Sequence, residues 1–129
     1  MKKIIHSDDA PKAVGPYSQA VRTGNLLFTA GQVPLDPTTG KMVEGDITAQ
    51  AEQAMKNLQA VLAAAGTGFE HVVKTTVYLA DMADYAGLNE VYGRYFTGNY
   101  PARSAFAVRA LPLGAKVEIE MVAEIPEAG

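Results

Sequence analysis

The chain has 129 residues, 48% of them hydrophobic, with 11 Lys and Arg against 14 Asp and Glu for a formal net charge of -3, and no cysteine. That length and apolar content predict a single domain over residues 1–129. The singly scattered cations give no footprint for nucleic acid, and the absence of thiols excludes disulfides, thiolate nucleophiles and cysteine-bound zinc.

The first element expected is a short strand in KIIH, residues 3–6, and the two lysines at positions 2 and 3 are followed by no apolar run of signal-peptide type. No window is long enough to span a bilayer, so no membrane association is expected and a cytoplasmic protein is the plain reading. SQAVR (18–22) and NLLFTA (25–30) read as strands joined in a hairpin by Thr23, Gly24 and Asn25. Residues 34–45, PLDPTTGKMVEG, form a loop by their Pro and Gly content, long enough to carry function or motion.

Asp46 is placed to N-cap a helix whose apolar positions Ile47, Ala51, Ala54, Leu58, Val61, Leu62 and Ala65 recur at helical spacing, with Gly66 as its stop. A strand VVKTTVYLA (72–80) follows, then a second helix from about Asp84 to Thr97 with Tyr85, Leu88, Val91, Tyr92, Tyr95 and Phe96 on one broad face and Gly98 after it. RSAFAVRAL (103–111) and KVEIEMVAEI (116–125) complete the set as strands, and PLGA (112–115) between them predicts an antiparallel pair. About six strands and two helices on one face of a single mixed sheet make an α+β layer. Neither side of RSAFAVRAL alternates as a solvated strand does, so the second sheet face is expected to be covered by other subunits.

Arg103 stands at the head of an otherwise small and apolar strand. Its planar fork suits a carboxylate held bidentately among the small neighbours Ala102, Ser104 and Ala105; the alternative is a structural salt bridge to a glutamate of the last strand. That strand alternates Val117, Ile119 and Met121 against Glu118, Glu120 and Glu124. A hairpin at PLGA would set Glu118 near Arg109 and Glu124 near Arg103, favouring cross-strand ion pairs, whereas a general base at Glu118 must reach a water beside a ligand. In GPYSQ (15–19) the Gly-Pro turn projects Tyr17, either over a small ligand or into packing. Gly31 in TAGQ allows close backbone approach to a ligand, or simply ends a strand. His6 and His71 stand far apart without metal-ligand spacing, and no nucleotide-binding loop is present, so neither metal nor cofactor is expected.

GPYSQAV, FTAGQVPLDPTTG, the QAEQAMKNLQAVLAAAG helix, VVKTTVYLAD and PARSAFAV followed by VEIEM resemble the Rid, or YjgF-type, reactive intermediate deaminases across essentially the whole chain. The resemblance implies a chorismate-mutase-like fold assembled as a homotrimer, with a ligand site in each cleft between neighbours and no cofactor. It implies that Arg103 clamps the carboxylate of a 2-imino or 2-enamino acid such as 2-aminoacrylate, the product of pyridoxal-phosphate-dependent serine and threonine dehydratases. Glu118 would then orient or deprotonate water, with Tyr17, Asn89 and the backbone at Gly31 lining the pocket. Ala105 stands where many relatives carry cysteine, and Ala30 where many carry serine. A protein of another kind, which binds a small carboxylate such as a 2-keto acid in the same cleft without turnover, is the alternative.

Overall fold

Alternation in the last strand sets the architecture. Val117, Ile119, Met121 and Ala123 are each at most 1% exposed, while Glu118, Glu120 and Val122 between them are half-buried on the other side. A strand this apolar on one face belongs at the centre of a sheet. In the computed structural model, which describes residues 1–127, it lies there. The strands β1 (Lys3–Ile5), β2 (Ala20–Thr23), β3 (Leu26–Thr29), β4 (Val72–Leu79), β5 (Ala102–Ala107) and β6 (Val117–Glu124) form one mixed sheet in the order β1-β2-β3-β6-β4-β5. Helices α1 (Ile47–Ala64) and α2 (Tyr85–Gly93) share one hydrophobic core with one face of that sheet.

Helix α1 is bounded as its sequence requires. The Asp46 side chain accepts from the Ala49 N–H at 3.1 Å. At the other end Gly66, at φ 82°, donates to the Ala63 carbonyl and Thr67 donates to that of Leu62, the paired bonds of a Schellman cap. Met55, Leu58, Val61 and Leu62 are fully buried against the sheet, and removing such a side chain from water stabilises by about 1.5–3 kcal/mol. Helix α2 stops at Gly93, short of the expected Thr97. Tyr95 and Phe96 leave the helix by i→i−3 bonds and stack on Phe69 at centroid distances of 5.2 and 5.7 Å, so the aromatic pair packs better outside the helix than in it.

The expected hairpin between the last two strands does not form. β5 pairs in parallel with β4, and β6 pairs antiparallel with β4 on its other side, so β4 lies between the two. The strand-helix-strand order β4-α2-β5 is a crossover unit, which places its strands parallel. β5 ends at Ala107, where the Val108 N–H donates to the Leu79 carbonyl, and not at Leu111. The connection then passes over the end of β4, where Ala80 donates to the Lys116 carbonyl. The Arg109–Glu118 and Arg103–Glu124 pairs that a hairpin would have produced are therefore lost. The Ala-rich β5 forms one edge of the sheet.

The face opposite the helices carries Glu118, Glu120, Tyr78 and Ser104 beside apolar groups. Ile4, Leu26, Phe28 and Phe106 remain 53%, 36%, 44% and 45% exposed there. Residues 34–45 are held in place: Asn57 Nδ2 donates to the Val33 and Leu35 carbonyls at 3.2 and 2.9 Å, and Gln50 Nε2 donates to that of Val43.

Candidate active site

Arg103 occupies the edge strand opposite Thr75 of β4, so its side chain rises on the helix side of the sheet. There it meets one stripe of α2. Tyr85, Asn89 and Tyr92 are spaced i, i+4 and i+7 and project from the same helical face. Arg103 Nη1 donates to Asn89 Oδ1 at 2.8 Å and Nη2 to the Tyr85 hydroxyl at 2.9 Å. Its carbon Cζ stands 4.8 Å from the ring centroid of Tyr92 and 5.5 Å from that of Tyr85, within cation–π range. The Tyr92 hydroxyl bonds to the buried Thr75 at 2.8 Å, which locks the ring beneath the guanidinium. Burial raises the Tyr92 pKa, against the opposing effects of the Thr75 bond and the Arg103 charge, so the phenol stays neutral.

These partners position the guanidinium without neutralising it. None is anionic, and no carboxylate among the described residues forms an ion pair with Arg103. The fork borders a cleft of about 350 Å³ lined by Asn89, Tyr92, Gly93, Tyr100 and Pro101. Such a group is prepared for an external anion.

Glu118 lies at a second cavity, of about 490 Å³, together with Tyr17, Ala30, Gly31, Val14 and Leu113. Paired bonds between Gln32 and Ile119, at 2.8 and 3.1 Å, clamp the segment after β3 to β6 and bring Gly31 against the carboxylate. A β-carbon at Gly31 would stand 2.1 Å from Glu118 Oε2; the glycine is required for the space it leaves, not for turn geometry. Burial first, and the neighbouring charge of Glu120 second, raise the Glu118 pKa above its ordinary 4.5. Tyr78 donates its hydroxyl to Glu120. That bond, then burial and the charges of both glutamates, push the Tyr78 phenol up to about 12. A carboxylate with raised basicity beside a partly enclosed cavity is suited to accept a proton.

Tyr17 reaches this cavity from a loop fastened by buried Gln19, whose Nε2 donates to the Ser7 and Pro11 carbonyls at 3.1 and 2.8 Å and whose Oε1 accepts from Ser7 N–H at 2.6 Å. The Tyr17 hydroxyl accepts from the Val14 N–H at 3.2 Å. The ring therefore borders the cavity and braces its own loop.

The structure thus brings Arg103 together with Asn89, and Glu118 together with Tyr17 and Gly31, but holds the two groups apart. Arg103 is level with Thr75 and Glu118 with Tyr78; three residues apart on β4, these point to opposite faces of the sheet. Ala105 follows Arg103 on the helix side, packs at the margin of the core and lines neither cavity. Tyr85, Tyr92, Thr75 and Leu113 were not legible as site residues. The tyrosines were visible only as an apolar helical face, whose i, i+4, i+7 spacing also aims them at Arg103.

The family model described as Endoribonuclease L-PSP matches residues 7–125. The chain is 60% identical over 124 residues to the Myxococcus xanthus protein DfrA, covering 95% of each chain. It is 51% identical over 123 residues to the mouse 2-iminobutanoate/2-iminopropanoate deaminase, covering 95% of this chain and 91% of the relative. Among solved structures it superposes on Escherichia coli TdcF with bound serine at a TM-score of 0.92, with 40% identity and coverage of 96% and 99%.

Proposed function

From the premise that the chain belongs to the Endoribonuclease L-PSP family, in its Rid branch, we propose that it hydrolyses 2-imino acids and their enamine tautomers to 2-keto acids and ammonia. The observation that carries this reading is Arg103, a guanidinium oriented by neutral oxygens and aromatic faces and left without an anion of its own. A 2-imino acid supplies that anion as its carboxylate. Its protonated imine is already electrophilic at C2, so hydrolysis needs orientation, a placed water and a proton acceptor, and no covalent intermediate.

Arg103 fixes the carboxylate and thereby the plane of the imine. Glu118 takes a proton from water as its oxygen bonds to C2, giving a tetrahedral carbinolamine. Returning that proton to nitrogen lets the C–N bond break, with its electron pair leaving on ammonia and the hydroxyl proton lost to form the ketone. The raised basicity of Glu118 serves both transfers. Tyr17 borders the site, Asn89 holds the arginine, and the space at Gly31 admits the carboxylate of Glu118.

Because the sheet separates Arg103 from Glu118 within one chain, the complete site draws on two copies. The exposed Ile4, Leu26, Phe28 and Phe106 on the face opposite the helices support a closed assembly, which we take to be a homotrimer, with the Arg103 edge of one subunit set against the Glu118 cavity of the next. Upstream, the substrate chemistry fits pyridoxal-phosphate-dependent serine and threonine dehydratases. A nuclease role has less support: Arg103 is the one cation lining either cavity, and no histidine lines them.

The test mixes two defective variants. Arg103→Ala and Glu118→Gln are each assayed with a threonine dehydratase that generates imine while semicarbazide competes to trap it. Each variant alone should lose turnover, Arg103→Ala through substrate binding and Glu118→Gln chiefly through kcat. Denatured and refolded together, they should recover activity, since about one cleft in four then unites a native Arg103 with a native Glu118. Wild type that binds keto acid yet leaves the trapped fraction unchanged would make this cleft a binding site without turnover. Active wild type with no recovery on mixing would refute the shared cleft.

A further inference from the structure

The turn before β6 contains a residue whose conformation opposes its chemistry. Pro112–Ala115 closes with the Ala115 N–H donating to the Pro112 carbonyl at 3.1 Å, and both central residues have positive φ, 57° at Leu113 and 71° at Gly114. This is the pattern of a type I′ turn, whose first central position favours Asn, Asp or Gly. Leucine has no side-chain hydrogen bond to offset the left-handed conformation, and its Cβ crowds the backbone there. The turn is anchored beyond it by Ala115, which is 2% exposed.

Core packing does not account for the leucine. Leu113 is 70% exposed, yet it lines the cavity that holds Glu118, where Val14, Val33 and Leu35 supply further apolar surface. A strained, exposed, bulky residue beside a basic carboxylate is the pattern expected of a functional position. We propose that Leu113 bounds the pocket for the substrate's side chain and sets preference for short aliphatic 2-imino acids.

This inference rests on the imine-hydrolase reading. With the substrate carboxylate on Arg103 and C2 beside Glu118, the remaining substituent at C2 is the amino-acid side chain. The remaining surface of the Glu118 cavity is apolar. Leu113 therefore limits how far a side chain extends, and anionic side chains find no partner there.

Leu113→Gly removes the wall while keeping a residue suited to positive φ; relief of backbone strain and the greater freedom of glycine in the unfolded chain offset each other. Imines of alanine and leucine are generated by a broad L-amino acid oxidase with catalase and trapped competitively by semicarbazide. The variant should raise kcat/KM for the leucine-derived imine relative to the alanine-derived one by about tenfold or more, the scale on which a pocket discriminates by methylene groups. Melting temperature and oligomeric state should stay those of wild type. Leu113→Phe should shift the ratio the opposite way. Wild-type turnover with an unchanged ratio in both variants would overturn the role of Leu113 alone. Dissociation of Leu113→Gly, or an equal loss on every substrate, would make the leucine an assembly contact and also overturn it. A wild type inactive on both imines would defeat the underlying hydrolase reading instead.

Discussion

Replacing Gly31 by alanine tests Glu118 without touching it. The new β-carbon would lie 2.1 Å from Oε2, 2.7 Å from Cδ and 3.0 Å from Cγ of Glu118, whereas ordinary contact begins near 3.4 Å. The carboxylate must retreat by the difference, roughly 1.3 Å. A displacement of about 1 Å in a catalytic group costs on the order of 10²-fold in rate, equivalent to about 2.7 kcal/mol of transition-state stabilisation. The fold should tolerate the change, because the atoms in the way belong to a flexible side chain and Gly31 has no positive φ; the lower unfolded-state entropy of alanine returns about 0.4–1 kcal/mol. In the semicarbazide competition assay, kcat should fall about a hundredfold with a smaller change in KM. The double variant Gly31→Ala/Glu118→Gln should be no slower than the worse single variant, since both disable one group. Gly31→Ala with kcat within twofold of wild type would refute the proposed use of this carboxylate, and additive losses would place the two residues in separate roles.

Glu120→Gln removes the charge that adds to burial in raising the Glu118 pKa. In the proposed mechanism activity requires ionised Glu118 and is lost as pH falls through its raised value, so the acid limb of kcat/KM should move to lower pH in the variant, measured on one substrate so that imine titration cancels. The sign for stability is opposite: ionising a carboxyl whose folded pKa is raised disfavours the fold, and the stability contributed below 4.5 is lost as pH rises through the folded value. Tyr85→Phe keeps a ring beside Arg103 but removes the acceptor for Nη2; losing about 1 kcal/mol of orientation should raise KM about fivefold with kcat within twofold. Asn57→Ala leaves the Val33 and Leu35 carbonyls without their buried donor, which should cost about 2 kcal/mol and lower Tm by about 8 °C in calorimetry. An Asn57→Ala melt matching wild type would show that the loop does not depend on that side chain.

Local signals were legible in proportion to how locally they act. The Asp46 cap, the Gly66 stop and the alternation of β6 each depend on neighbours within a turn or two, and each was readable from residue order. The pairing of β5 was not, because PLGA carries the chemistry of a turn without stating what that turn connects. Whether two strands become neighbours depends on the competing crossover through α2, a property of the whole sheet. The candidate site divides similarly. Arg103, Glu118 and Gly31 were picked out by residue type and family likeness, whereas Tyr85 and Tyr92 were hidden by spacing that also describes a buried helix face. Leu113 was hidden because no rule of composition reports a positive φ at a leucine.

The position of β6 imposes an order of events on chain assembly. β3 and β4 run parallel, and the strand that joins them is the last to emerge during synthesis. Until it arrives, a growing chain holds two incomplete units, the β1–β2–β3 meander and the β4–α2–β5 crossover, each with one unpaired inner edge. Those edges are the surfaces on which strands of separate chains associate wrongly. The six-stranded sheet is therefore completed only after β6 has been synthesised. Shielding of nascent chains should therefore raise the yield of this protein.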